Sequence, residues 1–166
     1  MKRKIFISYS DYDKHKMRQL EKIINSEKEL EPIIIADRKR ALKYLPEKVK
    51  QGINECNYFV PIMTRHSINT QWINQEIGFA EASKNCKIIP IVELQIINDL
   101  KGFINKNADL PFCFEGNFDN KRSESFKFAF ASRDLVKYII GEINNTTPRL
   151  RPGDISIVRR KLYPLG

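Results

Sequence analysis

Short apolar runs alternate with segments of helical period along most of the chain. Ile5-Phe6-Ile7-Ser8-Tyr9, Pro32-Ile33-Ile34-Ile35-Ala36, Tyr58-Phe59-Val60-Pro61-Ile62-Met63 and Lys87-Ile88-Ile89-Pro90-Ile91-Val92 are nearly continuous in apolar residues. Runs of this kind predict parallel strands covered on both faces. Pro61 and Pro90 lack the N–H that a ladder needs, so each is expected near a strand end or on an unpaired side. Between the runs, Met17, Leu20 and Ile24 share one helical face. Val49 and Ile53 follow Pro46, which suits a first helical turn, and a third helix is predicted over about 69–84. Ile96, Ile97, Leu100, Phe103 and Ile104 predict a compact amphipathic fourth helix. Leu135, Val136, Ile139, Ile140 and Ile143 predict a last one, with Ser132 as its N-cap.

Strand–helix alternation implies right-handed crossovers. The expected architecture is a flavodoxin-like, doubly wound α/β fold: a mostly parallel five-stranded sheet with helices on both faces. Two segments compete for the fifth strand. Ser125-Phe126-Lys127-Phe128-Ala129-Phe130 alternates with period two, and 111–114 is also strand-like; if both pair, one is an extra edge strand. The domain is expected over 1–145. Residues 146–166 read as a basic, mostly irregular extension, with Pro148, Pro152 and Pro164 among Arg149, Arg151, Arg159, Arg160 and Lys161. Ligands of open α/β sheets sit at the carboxyl ends of the strands. Here those ends are Tyr9-Ser10-Asp11, 37–44 and 64–67.

Composition narrows the chemistry. The chain has 166 residues, 42% hydrophobic and 30% charged, enough to bury one core without a staple. Cys56, Cys86 and Cys113 are odd in number and form no C-x-x-C pair, and the only histidines are His15 and His66. Neither a disulfide framework nor a metal site is expected, and a reducing, cytoplasmic location is. The basic N-terminus leads into too short an apolar run for a signal peptide. No stretch approaches the roughly 20 apolar residues of a membrane span. A net charge of +9 serves solubility or attracts an anion, and charge alone does not choose between them. The seven glycines are scattered, with no G-x-G-x-x-G, Walker loop or G-x-S-x-G elbow. Thr64-Arg65 stands where a phospho-receiver would carry a carboxylate. Ser, Cys and His are otherwise unclustered, which disfavours a hydrolase triad.

The segment Asn69-Thr70-Gln71-Trp72-Ile73-Asn74-Gln75-Glu76-Ile77-Gly78-Phe79-Ala80 stands out. Ile73, Ile77 and Ala80 form its buried stripe, and Glu76 falls on the margin, one turn after Trp72. The helical neighbours of Glu76 are Trp72, Ile73, Phe79 and Ala80, none of them a cation, whereas Glu81 has Lys84. The plain alternatives are a solvated glutamate, or one paired with a basic residue from elsewhere, beside a core or interface tryptophan. Together, near the strand ends, the two residues make a candidate site.

Ile5-Phe6-Ile7-Ser8-Tyr9-Ser10 followed by Asp13 resembles the first-strand box of TIR (Toll/interleukin-1 receptor) domains, especially prokaryotic ones. Ser67-Ile68-Asn69-Thr70-Gln71-Trp72 running into Asn74-Gln75-Glu76-Ile77-Gly78 resembles the S-x-W-x-x-x-E region of that family, with a short insertion. Ile88-Ile89-Pro90-Ile91-Val92 is similar to its fourth strand and Lys101-Gly102-Phe103 to a later segment, so the likeness spans about 3–105. The resemblance implies an enzyme that cleaves the nicotinamide–ribose bond of NAD, by hydrolysis or by cyclising the ADP-ribose part into a signal. It places the catalytic glutamate on Glu76. It places substrate contacts on Trp72, Tyr9, Ser10, Ser67 and Asp37, the last in a loop that TIR domains use for assembly and gating. NAD is then substrate, with no separate cofactor. It further implies TIR–TIR self-association and, by analogy with anti-phage immune systems, a separate effector that senses the product. The alternative is a non-enzymatic TIR adaptor acting by assembly. A membrane partner is not expected. Nucleic acid is the least favoured, because the basic residues show no aromatic interleaving.

Overall fold

The computed structural model describes residues 1–35, 45–100, 111–117 and 119–145. Among these residues six strands form one sheet: β1 (Arg3–Ser8), β2 (Leu30–Ile33), β3 (Tyr58–Met63), β4 (Lys87–Ile88), β5 (Ile91–Glu93) and β6 (Phe112–Phe114). Every pairing is parallel, in the order β2-β1-β3-β5-β6, with β4 also on β3. β4 and β5 act as one strand interrupted at Ile89-Pro90. Counted so, the sheet is five-stranded in the 2-1-3-4-5 order of flavodoxin-like folds.

The prolines explain the interruption. Phe59 registers with Ile88 and Ile62 with Ile91, so Pro61 stands opposite Pro90, between the two ladders. Pro61 thus lies inside a central strand and not near its end, and its Cα partner on the other side is Ser8 of β1. A residue without an N–H is tolerated there because the facing stretch carries no ladder.

Among the described residues, four α-helices cover the sheet: α1 (Lys14–Asn25), α2 (Glu47–Glu55), α3 (Gln71–Ser83) and α4 (Lys121–Ile143). The alternation of β1 sorts the core into two layers. Ile5, Ile7 and Tyr9 pack with Leu20 and Ile24 of α1, Phe114 of β6, and Phe128 and Leu135 of α4. Phe6 packs on the opposite face with Val49 and Ile53 of α2, Phe59 of β3, and Ile73 and Ile77 of α3. Pro46 precedes the first turn of α2 as its N-cap. Between β5 and β6 the chain makes a 3-10 helix, Leu94–Asp99, that buries Ile96 and Ile97. Phe103 and Ile104 of the expected fourth helix, and the extension 146–166, lie outside the described residues. No helix among the described residues is long and apolar enough to cross a membrane.

Two expectations are corrected. The segment 125–130 is not a strand but part of α4, and Phe112–Phe114 supplies the fifth strand. Ser132 is not the N-cap. Asn120 caps α4, its Oδ1 accepting the Ser123 N–H at 3.0 Å, while Ser132 is buried mid-helix and donates to the Phe128 carbonyl at 2.9 Å. The alternating phenylalanines misled because their spacing of two matches the strand period, whereas the helix turns Phe128 inward and leaves Phe126 and Phe130 on the opposite, outer face. Phe128 is fully buried with Ala131 and Leu135, one helical face. Phe126 and Phe130 are 72% and 45% exposed. Phe128 meets Phe114 edge-on at 5.2 Å between ring centres.

This arrangement makes the three phenylalanines unequal, where a strand would make them alike. Phe128→Ala is expected to cost about 3–5 kcal/mol by urea denaturation, and Phe126→Ala no more than about 0.5 kcal/mol. Equal losses would contradict the helical placement.

Candidate active site

The carboxyl edge of the sheet is where this chain buries its charge. On the α2/α3 face, β1 ends at Ser8, whose Oγ donates to Glu76 Oε2 of α3 at 2.6 Å. Both residues are fully buried. Glu76 therefore sits inside the helix–sheet contact and not on its margin, next to Ile73, Ile77 and Ala80. Trp72, one turn earlier on α3, is half-buried against the same apolar layer. A separation of 2.6 Å is at the short end of the range for an O–H···O hydrogen bond.

The other expected site residues fall elsewhere. Tyr9 follows the parity of β1 into the α1/α4 core, across the sheet from Glu76. Ser10 donates to Asp13 Oδ2 at 3.0 Å. Ser67 accepts the Thr64 N–H at 2.7 Å and donates to the Ile62 carbonyl at 3.1 Å, which closes the turn after β3. Ser10 and Ser67 thus hold the two loops beside the site. Asp37 lies outside the described residues. The structure joins Ser8 to Glu76, with Trp72 one turn away on the same helix, and it does not bring Tyr9 to them. Ser8 was not singled out in the sequence, although a signal was there. It is the one hydroxyl between apolar neighbours in Ile5-Phe6-Ile7-Ser8, and a buried hydroxyl needs a partner.

A second polar cluster occupies the α1/α4 side of the same edge. Asp13 is fully buried. It accepts from Ser10, from Thr64 Oγ1 at 2.7 Å, and faces Lys16 Nζ at 3.8 Å. Lys16 reaches Glu124 Oε1 at 3.0 Å. Arg65 pairs with Glu93 through its guanidinium, donates its backbone N–H to Glu93 Oε2 at 2.7 Å, and meets Glu124 Oε2 at 3.4 Å. Gly116 lies against this pair, and a Cβ there would overlap the Glu93 carboxylate. Ser10, Asp13 and Lys16 are local neighbours, but the contacts to Thr64, Glu124 and Glu93 span distant parts of the chain, so nothing local in the sequence announced those. Among the described residues, no group of three His, Cys, Asp or Glu side chains could hold a metal ion.

Fold and edge together define a flavodoxin-like α/β domain with a buried carboxylate at its switch-point edge. Residues 5–115, the larger part of the chain, match the family described as TIR domain. The chain belongs to the TIR domain family. No curated protein gives a significant match. Among solved structures, the chain resembles a fungal multi-domain GH3 beta-N-acetylglucosaminidase with a GCN5-related glucosamine N-acetyltransferase region. That likeness has TM-score 0.51 and 14% identity over 92% of this chain, but spans only 15% of that one, and it concerns the fold alone. The TIR domains of the activated Roq1 resistosome, which directly recognises the pathogen effector XopQ, align at TM-score 0.49 and 12% identity over 97% of this chain and 99% of that one.

The buried cluster has a pH signature. Burial pushes the Glu124 carboxyl upward, but the Asn117 N–H and the Lys16 and Arg65 charges outweigh it and hold the group below the usual carboxylate range. A lowered folded-state pKa gives stability that is complete above the unfolded pKa and lost as pH falls through the folded one. Thermal midpoints measured on the acid side of neutrality should therefore fall as pH drops past the ordinary glutamate range. Glu124→Gln should flatten that limb; an unchanged slope would remove Glu124 from the cause.

Proposed function

We propose that this TIR domain is an NAD-cleaving enzyme of the prokaryotic type. It breaks the nicotinamide–ribose bond and either hydrolyses the product or cyclises the ADP-ribose part into a signal, in a role like that of anti-phage immune systems. The observation that carries this reading is the fully buried Glu76, bonded to Ser8 at the carboxyl end of β1. The bonding pair of the scissile C–N bond leaves with nicotinamide, which departs neutral and needs no proton. The ribose carbon becomes oxocarbenium-like. A carboxylate in a water-poor setting stabilises that developing charge far better than it would in water, so one carboxylate suffices. Ser8 fixes which oxygen of Glu76 is presented. Trp72 offers an aromatic face on which a base can stack. Stacked adenine attacking the ribose carbon gives a cyclic product, and water gives a linear one.

Glu76 is enclosed in this structure, so the ribose reaches it only when the carboxyl edge opens. Turnover is accordingly expected to depend steeply on protein concentration, with TIR–TIR self-association supporting the open state and a separate effector sensing the product. The same enclosure favours a second reading, in which Ser8–Glu76 is a structural pin in a non-enzymatic adaptor that acts by assembly.

Glu76→Gln separates the two, because its amide oxygen still accepts from Ser8. Nicotinamide release from NAD, measured at high protein concentration, should fall by about 100-fold or more with the thermal midpoint retained. Undiminished release would end the Glu76 assignment, and a wild-type protein that releases none would leave the adaptor. Trp72→Ala should shift the product from cyclic to linear ADP-ribose. A wild type that makes only the linear form would remove the cyclisation step.

A further inference from the structure

Two thiols stand at the amino edge of the sheet, opposite Glu76, and the proposed reaction uses neither. Cys56 ends α2 and leads into β3, and Cys86 leads into β4. The two strands are parallel, Tyr58 registers with Lys87, and the Lys87 N–H donates to the Asn57 carbonyl at 3.0 Å. That register sets residues 56 and 86 on adjacent chains as they enter the sheet. Cys56 is buried and its Sγ–H points to the Ile53 carbonyl at 3.1 Å. Cys86 is half-buried against the same apolar layer, and the two thiols are close enough to shift one another's ionisation. Cys113 belongs to β6, which β5 separates from β3.

We propose that Cys86 and Cys56 form a peroxide-reactive dithiol, in which the more accessible Cys86 is oxidised first and Cys56 resolves it to an intrachain disulfide. The Cys86 thiolate attacks one oxygen of hydrogen peroxide. The O–O bond breaks, and the departing hydroxide leaves as water after taking a proton. Cys86 is then a sulfenic acid. The Cys56 sulfur attacks that sulfur, the S–O bond breaks, and the Cys56 proton leaves with the hydroxide as a second water. Two thiols and one peroxide give one disulfide and two waters, with two electrons passing from sulfur to oxygen.

The surroundings divide the two roles. The neighbouring Cys56 lowers the Cys86 pKa against the opposing effect of burial, with help from the Ser83 hydroxyl. The same contact, with burial, pushes the Cys56 thiol up. A low-pKa accessible thiol beside a buried partner is the pattern of a sensing and a resolving cysteine. The disulfide would tie the end of α2 to the chain that leaves α3, the helix of Trp72 and Glu76. It would close a loop holding β3 and α3, which restricts the unfolded chain.

The test uses the full reduced chain treated with hydrogen peroxide, then intact mass and non-reducing peptide mapping. The expected result is a loss of about 2 Da, a linked Cys56–Cys86 peptide, reversal by dithiothreitol and a raised thermal midpoint. The link persists in Cys113→Ser and disappears in Cys86→Ser. Cys56→Ser should instead gain oxygen at Cys86. A wild-type protein that only gains mass, or that pairs through Cys113 or between chains, would overturn the proposal. Mapping of the wild type decides this even if a variant fails to fold.

Discussion

An ionisable side chain stays buried only where partner atoms replace the water it has lost. Asp13, Lys16, Glu76, Glu93 and Glu124 are all buried, and all lie at the carboxyl edge of the sheet. Each finds its partner on a different element. Glu76 of α3 takes Ser8 of β1, and Asp13 takes Thr64 from the turn after β3. Lys16 of α1 takes Glu124 of α4, and Glu93 of β5 takes Arg65. These contacts form together only if β1, β3 and β5 end at a common level. The parallel register and the placement of four helices thus converge on one edge. Removing one partner of such a buried pair typically costs about 3–5 kcal/mol.

The parity of β1 divides that edge into two kinds of environment. On the α1/α4 side, charges neutralise each other in a closed network around Asp13 and Glu124. On the α2/α3 side, Glu76 accepts from a hydroxyl of β1. The turn holding Thr64 and Ser67 joins the two, so the network fixes the loops on one face while Glu76 lies on the other.

Much of this was legible in the chain. Nearly continuous apolar runs marked the strands, and the stripes of α1, α2 and α3 appeared where their periods said. The start of α4 did not, because Phe126, Phe128 and Phe130 alternate with the strand period, and only Phe128 belongs to the buried helical face. Ser132 resembled a cap because the sequence does not show that a mid-helix serine can bond back to the preceding turn. The helix of Trp72 and Glu76 was visible as a carboxylate without a local cation. The opposite faces of Ser8 and Tyr9 were also legible, since adjacent strand residues point apart, yet the family likeness drew attention to Tyr9. The Lys16–Glu124 and Asp13–Thr64 contacts and the Cys56–Cys86 approach needed tertiary register, which no local pattern carries.

The family assignment explains why a buried carboxylate at this edge invites an enzymatic reading, and the enclosure of Glu76 explains why the reading demands an opening step. The most direct measurement is the isotope-labelled side-chain carboxyl signal of Glu76, identified by its loss in Glu76→Gln and followed while NAD is added to concentrated protein. If the ribose docks against this carboxylate, the signal shifts and saturates with the bound fraction of NAD. A signal that stays fixed while NAD binds or is consumed would contradict the placement of the reaction at Glu76.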